Sequence, residues 1–312
     1  MNKKEIEKKE MSLVKETKYI LEKLGHNPRK RYGQNFLISE NTLRRIVEEA
    51  KISKEDLVIE IGPGIGSLTK YLLDKAYKVI AVEIDNDLST FLNERFKMYN
   101  NFELINEDVL KIDLDEIIKK SGKKRENIKV VANLPYYITT PIILSLFEKE
   151  INTITVMVQK EVAKRFTIKD MTKERSNITY LIEYNAYSEI LFDVSKNNFM
   201  PAPKVDSSII CLKLKEKEEK KKFILDCISD LNLEKNITEK EILDIKVLAF
   251  DIIKNAFMHK RKKLTTSIKM SGKYDKCKIE EILEKLNIDK NIRPEKINLC
   301  EYIKIAFLYL FL

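Results

Sequence analysis

The sequence predicts an α/β fold: a doubly wound, mostly parallel sheet followed by a small all-helical domain. Three observations carry this. Short apolar, β-branched runs alternate with helix-period segments from Leu57 to Val158. The first four of those runs end in a glycine loop, an acid, an acid and an amide, so candidate ligand groups collect at one edge of the sheet, where such folds bind ligands. From Phe223 onward every apolar pattern has helical period, with no strand signal.

In chain order, residues 1 to 28 read as a charged helical arm with one thin apolar stripe, Ile20, Leu21 and Leu24. A basic stretch follows, Arg29, Lys30 and Arg31, then Tyr32-Gly33-Gln34-Asn35-Phe36-Leu37. Its cations suit phosphate, and its amides stand just before a helix that Ser39 caps and that buries Leu43, Ile46, Val47 and Ala50. Strands are predicted at Leu57–Ile61, Val79–Ile84, Phe102–Ile105, Ile128–Ala132 and Thr153–Val158. The helices between them carry Leu68, Tyr71 and Leu72, then Leu88, Phe91 and Leu92, then Leu114 to Ile118. Pro141 suits the first residue of the next helix, which holds Ile142, Ile143, Leu146 and Phe147. Lys160–Phe166 reads as helix, and Ile178–Val194 and Ile209–Leu214 as long strands that add antiparallel edges. The charge run Lys215–Lys222 reads as a linker or solvated helix start. The division expected is a charged arm at 1–28, a sheet domain at 29–218 and a helical domain at 219–312. The apolar end, Ile305 to Leu312, reads as the buried end of a terminal helix.

Composition narrows the function. The net charge of +9 favours a polyanionic partner, nucleic acid before membrane. The four cysteines form no C-x-x-C pair and only two histidines exist, so neither a zinc site nor a disulfide framework is expected, and the metal set is none. The lysine- and glutamate-rich N-terminus lacks the apolar stretch of a signal peptide, so a reduced cytoplasmic setting is expected.

The chemistry concentrates at Val130–Tyr136, V-V-A-N-L-P-Y. Pro135 fixes its own φ and pushes Leu134 out of the helical region, making a stiff turn at a strand end. The turn offers an amide, a carbonyl and an aromatic face, which suits a flat base with an exocyclic amine. The Asn133 oxygen and a turn carbonyl each accept one N–H while Tyr136 stacks on the ring. Taken alone, the same turn could simply end a strand. The first strand ends in Glu60-x-Gly62-x-Gly64-x-Gly66, where glycines admit a ligand close to the backbone. Ser67 stands where a dinucleotide loop would place its third glycine. Glu83, about 20 residues on, suits a ribose hydroxyl, and Asp108 an adenine amine. Together the four point to S-adenosylmethionine and an amine acceptor.

R-K-R-Y-G-Q-N-F-L, E-I-G-P-G-I-G-S-L-T, N-L-P-Y-Y-I-T-T-P, F-M-P-A-P-K-V-D-S-S and F-M-H-K-R-K-K-L resemble, in order, the ribosomal RNA adenine N6,N6-dimethyltransferase family. That resemblance implies a Rossmann-like S-adenosylmethionine-dependent methyltransferase domain followed by a small helical domain. It implies cofactor contacts from Asn35, Leu37, Gly62, Gly64, Glu83, Asp108 and Asn133. It further implies an adenine held at Asn133, Leu134, Pro135 and Tyr136, with Phe199 stacking on its other face. RNA contacts are expected from Arg29, Lys30, Arg31, Lys260, Arg261, Lys262 and Lys263, the last four on a helix after Phe257. N-L-P-Y and K-V-D-S resemble the bacterial small-subunit enzyme more than the macrolide-resistance methylases. The implied substrate is two adjacent adenosines of 16S rRNA within a small-subunit particle, and the implied protein a monomer with no membrane partner. A large-subunit methylase, a ribosome-assembly factor with little turnover and a DNA or protein amine methylase are the rival readings. One departure stands out: the family's Pro-Gly/Lys-x-Tyr-Gly-like loop after Arg165 is replaced by Thr167-Ile168-Lys169-Asp170-Met171-Thr172-Lys173. The basic cluster Lys260–Lys263 keeps the family's charge with one guanidinium fewer.

Overall fold

The computed structural model describes residues 12–25, 34–136, 138–231 and 237–312. The chain forms two compact units. The first comprises the described part of Met1–Ala163 together with Glu189–Leu214; the second is Lys164–Ser188 with the described part of Lys215–Leu312.

In the first unit, helix α1 (Leu13–Lys23) and the two-residue strand β1 (Phe36–Leu37) precede α2 (Glu40–Glu49). Ser39 caps α2 by accepting from the Thr42 N–H, a contact that stabilises a helix start by about 1 kcal/mol. The alternating core then runs β2 (Leu57–Ile61), α3 (Ser67–Lys75), β3 (Lys78–Glu83), α4 (Asn86–Phe96), β4 (Phe102–Asn106), α5 (Leu114–Ser121), β5 (Ile128–Asn133), α6 (Thr139–Leu146), β6 (Thr153–Gln159) and α7 (Lys160–Thr167). Pro141 is the third residue of α6 rather than its first. The position remains within the first turn, where a missing N–H breaks no helical bond. All five predicted strands form. Every residue of β2 is buried, as a parallel strand covered by helices on both faces requires.

The second unit begins within α7 and contains α8 (Asn177–Asn185). Strand β7 (Ala186–Val194) follows α8 and is succeeded in the first unit by β8 (Phe199–Met200) and β9 (Ser207–Leu214). Helices α9 (Lys217–Ile228), α10 (Glu239–Met258), α11 (Leu264–Ser271), α12 (Lys276–Lys285) and α13 (Leu299–Phe311) complete the second unit. The order across the sheet is β4-β3-β2-β5-β6-β9-β7. Strands β2 to β6 pair in parallel, and β9 runs antiparallel to β6. The strand order reverses between β2 and β5, which makes the crevice above their C-terminal ends the switch point of the fold.

Two local expectations are corrected. Residues 178–194 are not one strand: the first half is α8. Thr179 Oγ1 accepts from the Ser176 N–H at 3.1 Å to start that helix, and Tyr180 and Tyr184, four residues apart, both enter the core of the second unit. Aromatic and β-branched residues on a buried helical face mimic a strand in the sequence. Residues 164–188 accordingly cluster with the C-terminal helices. In addition, burial of α13 stops at Phe307; Leu310, Phe311 and Leu312 are exposed.

The glycine loop fixes how β2 meets α3. Gly66 has φ +82°, and a Cβ there would sit 2.5 Å from the Phe96 ring. Gly66→Ala is therefore expected to lower stability by about 2–4 kcal/mol through left-handed strain and overpacking. Urea denaturation checks this; an unchanged midpoint would refute the close-packing account.

Candidate active site at the strand ends

Register delivers the functional groups together. Ile61 pairs with Val82 on one side and with Ala132 on the other, so the next residues, Gly62, Glu83 and Asn133, emerge side by side. β4 ends at Asn106, paired with Glu83, and the chain continues into Glu107 and Asp108. A cavity at the switch point is lined by groups from all four strand ends: Glu60, Gly62, Gly64, Glu83, Asp108 and Asn133. Asn35 and Leu37 line it from the segment before α2, and Leu134, Pro135 and Tyr136 from the turn after β5.

Glu83 is anchored rather than loose. Its Oε2 accepts from the Gly64 N–H at 3.1 Å and its Oε1 from the Asp85 N–H at 3.0 Å. Burial pushes its carboxyl above the ordinary range, and those backbone donors offset part of the push. Asp108 Oδ1 accepts from the Leu110 N–H at 3.0 Å, which ties the acid to its own turn. The Asn133 Nδ2 donates to the Asn35 carbonyl at 3.3 Å. A carbonyl can only accept, so that contact must be the amide nitrogen, and Oδ1 is the acceptor end. Tyr136 is positioned by a 2.6 Å hydrogen bond between its hydroxyl and that of Ser207. Pro135 O is taken twice, by the Ile138 N–H and the Thr139 hydroxyl, each at 3.1 Å.

Some expected residues are placed elsewhere. Phe199 does not line the cavity. It is 4 % exposed, and its strand pairs with β1, Leu37 opposite Phe199. That pairing puts the ring in the core of the first unit. Lys260, Arg261, Lys262 and Lys263 do not lie on a helix. Ser267 Oγ donates to the carbonyls of Asn255 and Ala256 and accepts from the His259 N–H, so α10 closes at Met258 and the four cations form the turn before α11. Arg29, Lys30 and Arg31 lie outside the described residues. Among the described residues no group of histidine, cysteine and acidic side chains could hold a metal ion, and no helix is long and apolar enough to cross a membrane.

Glu60 had no assigned role in the sequence, although it opens the glycine motif. It is 1 % exposed, and its Oε2 has no hydrogen-bond partner. Burial pushes its pKa up to about 8; the Thr69 hydroxyl lowers it and the Glu83 charge raises it further. An orphaned buried carboxyl, Glu83 beside it and a glycine loop where a Cβ on Gly62 would meet the Asn133 carbonyl at 3.9 Å fit a cationic nucleoside such as S-adenosylmethionine, which carries an ammonium and a sulfonium. Between pH 4.5 and about 8 the folded chain holds a proton on Glu60 that the unfolded chain releases. Stability therefore falls as pH rises through that window, by up to about 1.4 kcal/mol per pH unit. Glu60→Gln is expected to remove this slope in urea titrations from pH 5 to 8; parallel profiles for the two proteins would sink the assignment.

A model of the ribosomal RNA adenine dimethylase family matches residues 25–225. The chain belongs to that family. Membership makes it an S-adenosylmethionine-dependent methyltransferase of ribosomal RNA adenine. Its relatives include a ribosomal RNA small subunit methyltransferase A of Clostridium botulinum (strain Langeland), 41 % identical over 292 residues, covering 93 % of this chain and 97 % of that one. The protein of the same name from Alkaliphilus oremlandii is 39 % identical over 299 residues, covering 95 % and 96 %. Among solved structures, a dimethyladenosine transferase from Plasmodium falciparum superposes with a TM-score of 0.66 at 24 % identity, covering 86 % of this chain and 95 % of that one. The 23S rRNA methyltransferase ErmE gives 0.61 at 24 % identity, covering 88 % and 99 %. These two likenesses concern the fold, and they place the dimethylase on the Rossmann-like architecture described above.

Proposed function

We propose that this dimethylase converts two adjacent adenosines near the 3′ end of small-subunit (16S) rRNA to N6,N6-dimethyladenosine, acting as a cytoplasmic monomer on a small-subunit particle during its biogenesis. The observation that carries the reading is the convergence of four strand ends and the Asn133–Tyr136 turn on one cavity. The small-subunit choice rests on relatives about 40 % identical along nearly the whole chain that bear that name.

Glu60, Gly62, Gly64, Glu83, Asp108, Asn35 and Leu37 would hold the cofactor: Glu83 takes ribose hydroxyls, Asp108 the adenine amine and Glu60 the cationic end. S-adenosylmethionine supplies, when bound, an electrophilic methyl with a neutral thioether as leaving group. The chain's own residues hold and aim the acceptor. Asn133 Oδ1 accepts one N–H of the target amine. The Leu134 carbonyl accepts the other, because Pro135 O is already engaged. Accepting both hydrogens draws the nitrogen lone pair out of conjugation and turns it toward the methyl. Tyr136, fixed through Ser207, stacks on the extruded ring, an interaction that stabilises a bound base by about 1–3 kcal/mol. Phe199 backs Leu37 from the core and supports the cavity wall. No strong base is required, since the proton becomes acidic once the nitrogen is methylated and leaves to water. Lys260, Arg261, Lys262 and Lys263, with Arg29, Lys30 and Arg31, would take phosphates.

The test is mass spectrometry of rRNA after the purified chain meets unmethylated ribosomal particles and S-adenosylmethionine. Dimethyladenosine at neighbouring positions of small-subunit RNA is expected. Methylation confined to large-subunit RNA would replace the reading with the resistance-type activity, and no methylation with the cofactor bound would favour an assembly role.

A further inference from the structure

The loop in which the chain departs from the family pattern, residues 167–173, leads two residues on into a buried guanidinium. Arg175 is 1 % exposed. A charge removed from water costs several kcal/mol unless its donors are met and its charge balanced. Here one nitrogen donates to the Lys169 carbonyl at 3.1 Å, another pairs with the Glu183 carboxylate, and the guanidinium lies 4.3 Å over the Tyr180 ring, while Nε is buried without a hydrogen-bond partner. Tyr180 is itself held, its hydroxyl donating to the Ile297 carbonyl at 2.7 Å. The loop thus folds around Arg175 as around a post. A second tie comes from outside, Lys296 Nζ donating to the Met171 carbonyl at 2.8 Å.

The same contacts connect the loop to the basic turn. Leu264 N–H donates to the Ile292 carbonyl at 2.8 Å and Lys263 Nζ to Asn291 Oδ1 at 2.5 Å. The segment 291–297 therefore bonds on one side to the 259–263 turn and on the other to the 168–175 loop, all within the second unit. Lys169 and Lys173 of the loop are exposed, as are Arg261 and Lys262 of the turn. The Glu174 carboxyl, lowered mainly by the Thr172 hydroxyl, also feels Lys173 and Lys260, which places loop and turn in one electrostatic neighbourhood.

We propose that Arg175 is a positioning residue for RNA: its buried guanidinium shapes the 168–174 loop so that Lys169 and Lys173 join Lys260, Arg261 and Lys262 in one phosphate-binding surface. The inference rests on the reading that rRNA is the substrate. Arg175 touches no phosphate itself and acts through the two lysines.

The test is the salt dependence of binding of the full chain to unmethylated small-subunit particles. Each phosphate contact contributes about 0.7–0.9 to the slope of log K against log salt. Lys169→Ala/Lys173→Ala is expected to reduce that slope by about 1.4–1.8. Arg175→Met should reduce it by a similar amount although the residue is buried, and the triple variant should lose little more. Glu183→Gln is the sharper probe. Removing an acid strengthens RNA binding through general electrostatics, whereas loosening Arg175 weakens it and lowers the slope. It also keeps the test decisive should Arg175→Met fail to fold. An Arg175→Met protein with a lower melting temperature and an unchanged slope, an unchanged slope in the double lysine variant, or tighter binding by Glu183→Gln would each overturn the proposal. A parent chain whose binding to the particles showed no salt dependence would instead remove the rRNA reading on which it rests.

Discussion

Asn133→Ala is expected to lower the methyl-transfer rate at saturating cofactor and RNA by about 10²–10³-fold. One preorganised hydrogen-bonding group aimed at a reacting centre contributes about 2.7–4 kcal/mol to the transition state, which converts to that factor. The group qualifies as preorganised because Asn35 O holds the amide nitrogen at 3.3 Å, so Oδ1 needs no reorientation to accept the amine. The loss should fall on turnover. Binding of S-adenosylhomocysteine, measured by calorimetry, should weaken less than about fivefold, since Gly62, Gly64 and Glu83 are untouched. Asn133→Asp separates two halves of the argument. The carboxylate keeps an acceptor but offers no donor to Asn35 O, and two acceptors at that spacing repel. It is expected to fall at least tenfold below the parent. Full activity in Asn133→Asp would show that the Asn35 contact does not orient the amide; full activity in Asn133→Ala would remove Asn133 from the chemistry.

Legibility in the sequence followed how local each cause is. The five parallel strands could be read because strands buried on both faces leave continuous apolar runs, and Leu57–Ile61 is such a run. The acid row could be read because β-strand ends in a doubly wound sheet share an edge, so Glu83, Asp108 and Asn133 meet without any further information. Helix α8 was obscured because Tyr180 and Tyr184 have strand-favouring chemistry while their burial is set by distant partners, Tyr180 bonding to Pro294 O and Tyr184 packing on Phe223 and Phe250. The fate of Phe199 depends on a two-residue pairing with Leu37, too short and too distant in sequence to leave a pattern. The end of α10 is set by Ser267, a hydroxyl eight residues beyond the break at His259. Glu60 stood in plain view in E-x-G-x-G-x-G, but its missing partner is a fact of three-dimensional packing. Arg175 is the extreme case: an arginine in a polar loop reads as solvated, and only the positions of Lys169 O, Glu183 and Tyr180 show that it is enclosed.

Glu83→Ala is expected to weaken cofactor binding by about 10²–10³-fold while changing turnover at saturating cofactor by less than tenfold. The carboxylate carries two tasks. It accepts the N–H groups of Gly64 and Asp85, which hold the glycine loop in its open-cradle shape, and on the proposed reading its remaining lone pairs take ribose hydroxyls. Hydrogen bonds to a charged acceptor contribute about 1.5–3 kcal/mol each, and leaving buried donors unmet adds to the loss. Glu83→Gln keeps one oxygen but turns an amide NH2 toward one of those donors, so it should lie between parent and alanine. The titration of Glu83 supplies an independent check. Burial raises its pKa, so the carboxylate protonates at a higher pH than an exposed glutamate. A protonated acid loses acceptor strength, so affinity for S-adenosylhomocysteine should fall as pH drops through the raised value, and Glu83→Gln should flatten that contribution. Glu60 titrates nearby and, on the proposed reading, acts on the cationic end, so a deaminated analogue, which carries no ammonium there, isolates the Glu83 effect. If affinity for that analogue were independent of pH in the parent, or if Glu83→Ala lowered turnover rather than affinity, Glu83 would be shaping the loop alone and the ribose assignment would fall.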